Sequence, residues 1–154
     1  MGSPKVGKSM WLCNLCANSV RSGEDSAYIT LEMSYQLVSQ RIGSNLLNIP
    51  IDEYETAAKD INYLSAMMKN FYNNQIIPPG KFFIEEFPTS SATVYDIEAF
   101  LLKKEEELST ETKKFKFKNI FIDYINIMKD AKNPNSENMY QKIKSICEDV
   151  RAMA

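Results

Sequence analysis

The chain has 154 residues, 44% of them hydrophobic and 25% charged, with a formal net charge of −2 and no histidine. These values describe one folded domain and exclude a protein that coats nucleic acid by bulk positive charge. The lack of histidine excludes histidine-based catalysis and histidine-ligated zinc.

No apolar run approaches the roughly 20 residues that span a bilayer, so no membrane partner is expected. The first residues, Met1 to Ser9, lack the apolar core of a signal peptide. Three cysteines are an odd count for a disulfide framework. A cytoplasmic, reducing setting is expected.

Met10 to Val20 predicts a helix, with Trp11, Leu12, Leu15, Cys16 and Val20 mostly on one stripe. Gly23 suits the residue after its end. Ala27 to Leu31 predicts a strand. Tyr35 to Leu47 predicts a helix with Leu37, Val38, Ile42 and Leu46 inward, and Tyr54 to Tyr72 a third helix. Phe82-Phe83-Ile84 is the next strand. Val94 to Leu108 is helical, and Thr93 with Asp96 resembles a capping box with Asp in place of Glu. Asn119 to Asp123 is an apolar strand ending in an acid. Asn133 to Ser136 is a loop, and the last helix carries Tyr140, Ile143, Cys147 and Val150 on one face. Strands alternating with helices predict an α/β fold with a mostly parallel sheet flanked by helices.

Gly2-Ser3-Pro4-Lys5-Val6-Gly7-Lys8-Ser9 matches G-x-x-x-x-G-K-[ST] at every fixed position. Glycines allow the torsions by which such a loop turns its N–H groups onto a phosphate. The following helix adds its positive end. Lys8 reaches the β- and γ-phosphates of ATP as a point charge, and the Ser9 hydroxyl suits Mg²⁺. Lys5 reads as a solvated loop lysine that can touch a phosphate. The loop normally follows a buried strand. Only Met1 precedes Gly2, and the chain stops at Ala154 inside a helix. It therefore reads as part of a larger domain, truncated at both ends.

Phosphoryl transfer also needs a metal clamp and a group that orients water. Asp123 ends an apolar strand, where a Walker B acid sits, and is the candidate Mg²⁺ partner. Glu32 follows the strand before it. Ligands of a doubly wound sheet gather at the strands' C-terminal ends, so Glu32 is the candidate base that polarises water. Glu85 and Glu86 read as a polar rim or local partners. The pair Cys13 and Cys16 reads as core packing, because zinc needs further ligands and a redox site needs a helix N-terminus. Lys113, Lys114, Lys116 and Lys118, interleaved with Phe115 and Phe117, read as a strand edge with alternating faces.

Four segments together resemble the ATPase domain of DnaB-like hexameric replicative DNA helicases, which have a RecA-type core; the T-even phage branch is the nearest. They are Gly2 to Ser9, then Tyr28-Ile29-Thr30-Leu31-Glu32-Met33-Ser34 with Arg41 beyond, then Glu86-Phe87-Pro88-Thr89, and then Ile120 to Met128 with the helix ending at Ala154. The resemblance spans essentially the whole chain. It implies a RecA-like P-loop ATPase core running from Walker A to just past Walker B. It makes Glu32 the catalytic glutamate, Asp123 the Walker B aspartate, and Lys8 and Ser9 the phosphate and metal residues. The loop from about Lys129 to Asn138 would touch single-stranded DNA, which singles out Lys129 and Lys132.

The implied cofactors are ATP and Mg²⁺. The implied partners are single-stranded DNA, a homo-hexamer, a primase and a helicase loader. The family's N-terminal domain, first core strand, sensor strand and arginine finger have no counterpart here. A finger is worth on the order of 10³–10⁵ in rate, so this stretch alone should hydrolyse ATP weakly and unwind nothing. Three alternatives remain at this point. They are a recombinase-type RecA ATPase, a nucleotide-gated binding module without hydrolysis, and a small-molecule kinase. The kinase is disfavoured because the only arginines are Arg21, Arg41 and Arg151.

Overall fold

The computed structural model describes residues 7–134, 136 and 138–153. Gly2, Ser3, Pro4, Lys5 and Val6 of the phosphate-loop motif lie outside the described residues, as does Asn135 of the later loop.

Six α-helices and three strands follow one another as α1 (Lys8–Arg21), β1 (Ser26–Thr30), α2 (Tyr35–Leu47), α3 (Ile51–Lys59), α4 (Ile61–Asn73), β2 (Phe82–Glu86), α5 (Val94–Leu108), β3 (Asn119–Asp123) and α6 (Met139–Met153), with a 3₁₀ turn at Ile125–Ile127. The sheet order is β2-β1-β3 and both pairings are parallel. All five residues of β1 are buried. A central strand covered on both faces reads as a near-continuous apolar run, as Ala27 to Leu31 does.

Side chains alternate across a strand, and β1 splits the core in two. Ala27, Ile29 and Leu31 pack with Ala92, Val94, Ile97, Leu101, Met128 and Ile146 on the α5–α6 side. Tyr28 packs with Cys13, Cys16, Ala17, Val20, Val38, Ile42 and Leu46 on the α1–α2 side. Full burial of one such aliphatic side chain contributes roughly 1.5–3 kcal/mol.

Local signals explain the boundaries. Gly23 takes φ +81° after α1, as a residue closing a helix in the left-handed region does. The Ser34 hydroxyl accepts the Leu37 N–H at the start of α2. The predicted capping box is present: Thr93 accepts from the Asp96 N–H, and the Asp96 carboxylate accepts from the Thr93 N–H at 2.8 Å.

Three expectations need correction. The single helix from Tyr54 to Tyr72 is two helices, because Asp60 leaves helical geometry and its carboxylate caps α4 by accepting the Tyr63 N–H at 3.0 Å. On α1 the buried stripe is Cys13, Cys16, Ala17 and Val20, whereas Trp11 and Leu15 are exposed, and Leu37 is exposed on α2. On α6 the buried residues are Ser145, Ile146 and Asp149, while Tyr140 and Cys147 face outward. Two polar residues turn inward there because Ser145 donates to Asp130 at 3.0 Å and Asp149 pairs with Lys132.

Residues 113–118 form no strand, but their faces alternate as expected. Phe115 and Phe117 are half-buried and pack edge-on against Phe83, and the lysines between them are exposed. Cys13 and Cys16 are core residues. Burial pushes both thiols up, Cys16 to about 12, with Cys13 adding to it.

Gly80 precedes β2, donates its N–H to Val20 O at 2.8 Å, and runs against the backbone of Glu24. A Cβ at residue 80 would fall inside the van der Waals envelope of the Glu24 carbonyl. Gly80→Ala is expected to destabilise the domain by about 3 kcal/mol, the upper end of ordinary overpacking costs. The midpoint of urea unfolding measures it.

Candidate functional site

The register of the sheet assembles the site. Thr30 of β1 lies beside Glu86 of β2 and beside Asp123 of β3. The three parallel strands therefore end level, and the segments carrying Glu32, Glu86 and Asp123 leave from one edge. In the register Tyr28 and Thr30 oppose Phe121 and Asp123. Asp123 thus shares the face of Tyr28, which is the face covered by α1.

The N-terminus of α1 reaches the same edge. Gly7 is its N-cap at φ +83°, with nothing within 4 Å of where a Cβ would stand. Its carbonyl accepts the Trp11 N–H at 2.9 Å and starts the helix. Lys8 is the first helical residue, and its ammonium stands 5.7 Å from the ring centroid of Tyr124, within cation–π range. The structure thus brings Lys8 beside the residue that follows Asp123. Ser9, in the same first turn, is half-buried.

Asp123 is only 3% exposed. Its Oδ2 accepts a hydrogen bond from the Tyr28 hydroxyl at 3.1 Å, and the Cys13 thiol donates to that hydroxyl at 3.6 Å. Burial, with smaller contributions from Cys13 and Asp123, pushes the Tyr28 hydroxyl far above the ordinary tyrosine range and keeps it a donor. The Asp123 carbonyl accepts the Leu31 N–H at 2.9 Å, which ties the end of β3 to the loop carrying Glu32.

Glu32 is exposed, in a loop held from several sides. The Thr30 hydroxyl accepts the Met33 N–H at 3.1 Å and donates to the Met33 carbonyl at 2.7 Å. Thr89 donates to the Leu31 carbonyl at 2.9 Å. The Glu86 carboxylate accepts the Tyr35 N–H at 2.6 Å, at the N-terminus of α2. Glu86 is therefore a local partner, as expected, and what it holds is the helix that follows Glu32. An anion there is favourable.

Lys129 and Lys132 lie elsewhere. Met128 packs on the α5–α6 side of the sheet, opposite α1. The Lys129 N–H donates to the Ala92 carbonyl at 2.8 Å, and its side chain is exposed. Its charge also adds a small pull to Asp96, whose carboxyl is held low mainly by hydrogen bonds from Thr93. The Lys132 ammonium pairs with Asp149, and that hydrogen bond raises its pKa. Asp130 is buried and fixes the start of this loop, accepting from the N–H groups of Lys132 at 2.9 Å and Asn133 at 3.2 Å and from Ser145. Burial alone would raise its pKa, but these hydrogen bonds outweigh burial and leave it lowered.

Sequence reasoning did not find Tyr28, Thr30, Thr89, Tyr124, Asp130 or Asp149. Thr89 sat within a quoted segment with no role attached. For the others the signal is a polar atom inside an apolar run, and such an atom has to find a partner when buried.

A metal fits these residues. Asp123 and Ser9 offer hard oxygens, and Mg²⁺ is usually held by one or two carboxylates together with substrate phosphates. Among the described residues no cluster of three or more Cys, Asp or Glu makes a self-sufficient metal cage. No helix of the described residues is long and apolar enough to cross a membrane.

The family model of the DnaB-like helicase C-terminal domain matches residues 1–154. The chain is 28% identical over 155 residues to a DnaB-like replicative helicase of Enterobacteria phage T4, covering 100% of this chain and 31% of that protein. Two solved structures each superpose on 97% of the chain with a TM-score of 0.66 and 18% identity. One is a DnaB-like replicative helicase, described with its interactions with primase, and 33% of it is covered. The other is an ATPase domain solved on its own, of which 49% is covered. The chain thus spans about a third of the length of the phage T4 relative.

Proposed function

This chain belongs to the DnaB-like helicase C-terminal domain family, has its α/β RecA-like fold, and on that footing we propose that it is the Walker A to Walker B part of the ATPase motor of a replicative DNA helicase. Mg-ATP hydrolysis drives the full-length protein along single-stranded DNA, 5′ to 3′, and unwinds duplex ahead of it. The protein works in the cytoplasm as a homo-hexamer, with a helicase loader and a primase as partners. The primase follows the DnaB-like relative described with its interactions with primase.

One observation carries the reading. The glycine-initiated N-terminus of α1, with Lys8, meets the end of β3, with the buried carboxylate of Asp123, on one face of the sheet. An anion belongs at such a helix N-terminus. Gly2 to Ser9 wrap the phosphates of ATP, Lys8 takes the β- and γ-phosphate charge, and Glu32 orients and deprotonates water at the γ-phosphate. Ser9 and Asp123 hold Mg²⁺. Bound there, the ion neutralises charge developing on the phosphate oxygens. The domain boundary, with further core strands and an arginine finger supplied from outside residues 1–154, belongs to the same proposal.

Measuring ATP turnover of the full-length protein with and without single-stranded DNA tests it. Stimulation by DNA supports a motor. Turnover indifferent to DNA overturns the translocation reading and leaves an ATPase with another partner.

Lys129 and Lys132 are the proposed DNA contacts, and the pairing with Asp149 sharpens the expectation for Lys132. A phosphate has to exchange with that carboxylate. Lys132→Ala is expected to weaken single-stranded DNA binding and to lower the slope of log affinity against log salt by about 0.7, one phosphate contact on a single strand. Loss of thermal stability with an unchanged salt slope would make Lys132 only the latch between this loop and α6.

A further inference from the structure

Tyr28 is 0% exposed in the middle of the central strand, yet it carries a hydroxyl. The ring packs against Phe121, stacked at 6.5 Å between centroids. The hydroxyl reaches diagonally across the ladder, past its register partner Phe121, to Oδ2 of Asp123 at 3.1 Å. Diagonal neighbours on one face of a sheet are within reach of a long aromatic side chain. The thiol of Cys13, on α1, is the hydroxyl's other partner. A fixed line therefore runs from the phosphate-loop helix through the core strand to the acid at the end of β3.

We propose that Tyr28 is a positioning residue for Asp123, holding its carboxylate in the orientation that receives the divalent cation of the bound nucleotide. The inference rests on the metal-binding reading of Asp123 given above. The carboxylate stands at a strand end, where side-chain rotation would otherwise be restrained only by packing. One short hydrogen bond to Oδ2 selects a rotamer, and the donor is itself immobile, since its ring is clamped between α1, α2 and the sheet. Partners of this kind, one bond behind a metal ligand, commonly set metal affinity.

The test is Tyr28→Phe in the full-length protein, which removes one oxygen and keeps the ring beside Phe121. Three quantities are read. They are Mn²⁺ affinity in the presence of ADP, followed by electron paramagnetic resonance; ADP affinity in excess EDTA; and the melting temperature. The expected result is Mn²⁺ affinity weakened on the order of tenfold, with metal-free ADP binding unchanged. In an Asp123→Asn background the same change should cost no further Mn²⁺ affinity.

If Asp123→Asn weakens Mn²⁺ binding and Tyr28→Phe does not, the positioning role is overturned and the reading of Asp123 stands. If neither weakens it, the reading of Asp123 falls and takes the inference with it. A lower melting temperature with metal-bound and metal-free nucleotide affinity reduced alike makes Tyr28 a packing residue and overturns the proposal.

Discussion

Glu32→Gln in the full-length protein is expected to retain nucleotide binding and to lower ATP turnover by about 10²–10⁴, the range a positioned general base contributes. The expectation follows from how the loop is built. Every hydrogen bond described for it is made by a neighbour of Glu32: Thr30 with Met33, Thr89 with Leu31, Ser34 with Leu37, and Glu86 with Tyr35. The Glu32 side chain is exposed at the edge where β1, β2 and β3 end together. A glutamine keeps its shape and removes its basicity, so the loop should stay and proton abstraction should go. Binding of a fluorescent ADP analogue and steady-state phosphate release are the two measurements. Normal turnover in the variant would remove Glu32 from the mechanism.

The same loop shows how far the sequence could be read. Strand ends and helix starts are local, and the local signals placed α2, α5 and β3 at their observed bounds. The acids Glu32 and Asp123 were legible because a parallel sheet has only one edge at which its strands finish. What supports those acids was not legible. Tyr28 and Asp123 are 95 residues apart, and Glu86 and Tyr35 are 51 apart. Nothing in a run such as Tyr28-Ile29 says that one hydroxyl in it will face a carboxylate.

The α6 stripe failed for a related reason. Periodicity counts apolar residues, whereas this helix buries Ser145 and Asp149, because Asp130 and Lys132 present polar partners to them. Asp60 shows the reverse limit. It was legible as an N-cap residue type, but the continuous helical pattern around it masked the break.

Lys8→Ala carries the second large expectation, loss of ATP turnover by on the order of 10²–10³, the cost of removing one preorganised charge-stabilising group, together with weakened nucleotide binding. Lys8 is the first residue of α1, and Ala is the best helix former, so the helix itself should not suffer. The lost contact with the Tyr124 ring is worth only about 0.5–1 kcal/mol at an exposed site, and Lys8 is exposed. A melting temperature near that of the parent is therefore expected beside a large kinetic defect, and the contrast separates a phosphate ligand from a structural lysine. Lys8→Arg sharpens the comparison. It restores the charge but spreads it over a planar fork, where a compact ammonium acts as a point charge. Partial recovery of nucleotide binding without recovery of turnover is the expected result for Arg at this position. Full turnover in Lys8→Ala would leave Gly7 as a helix cap and nothing more.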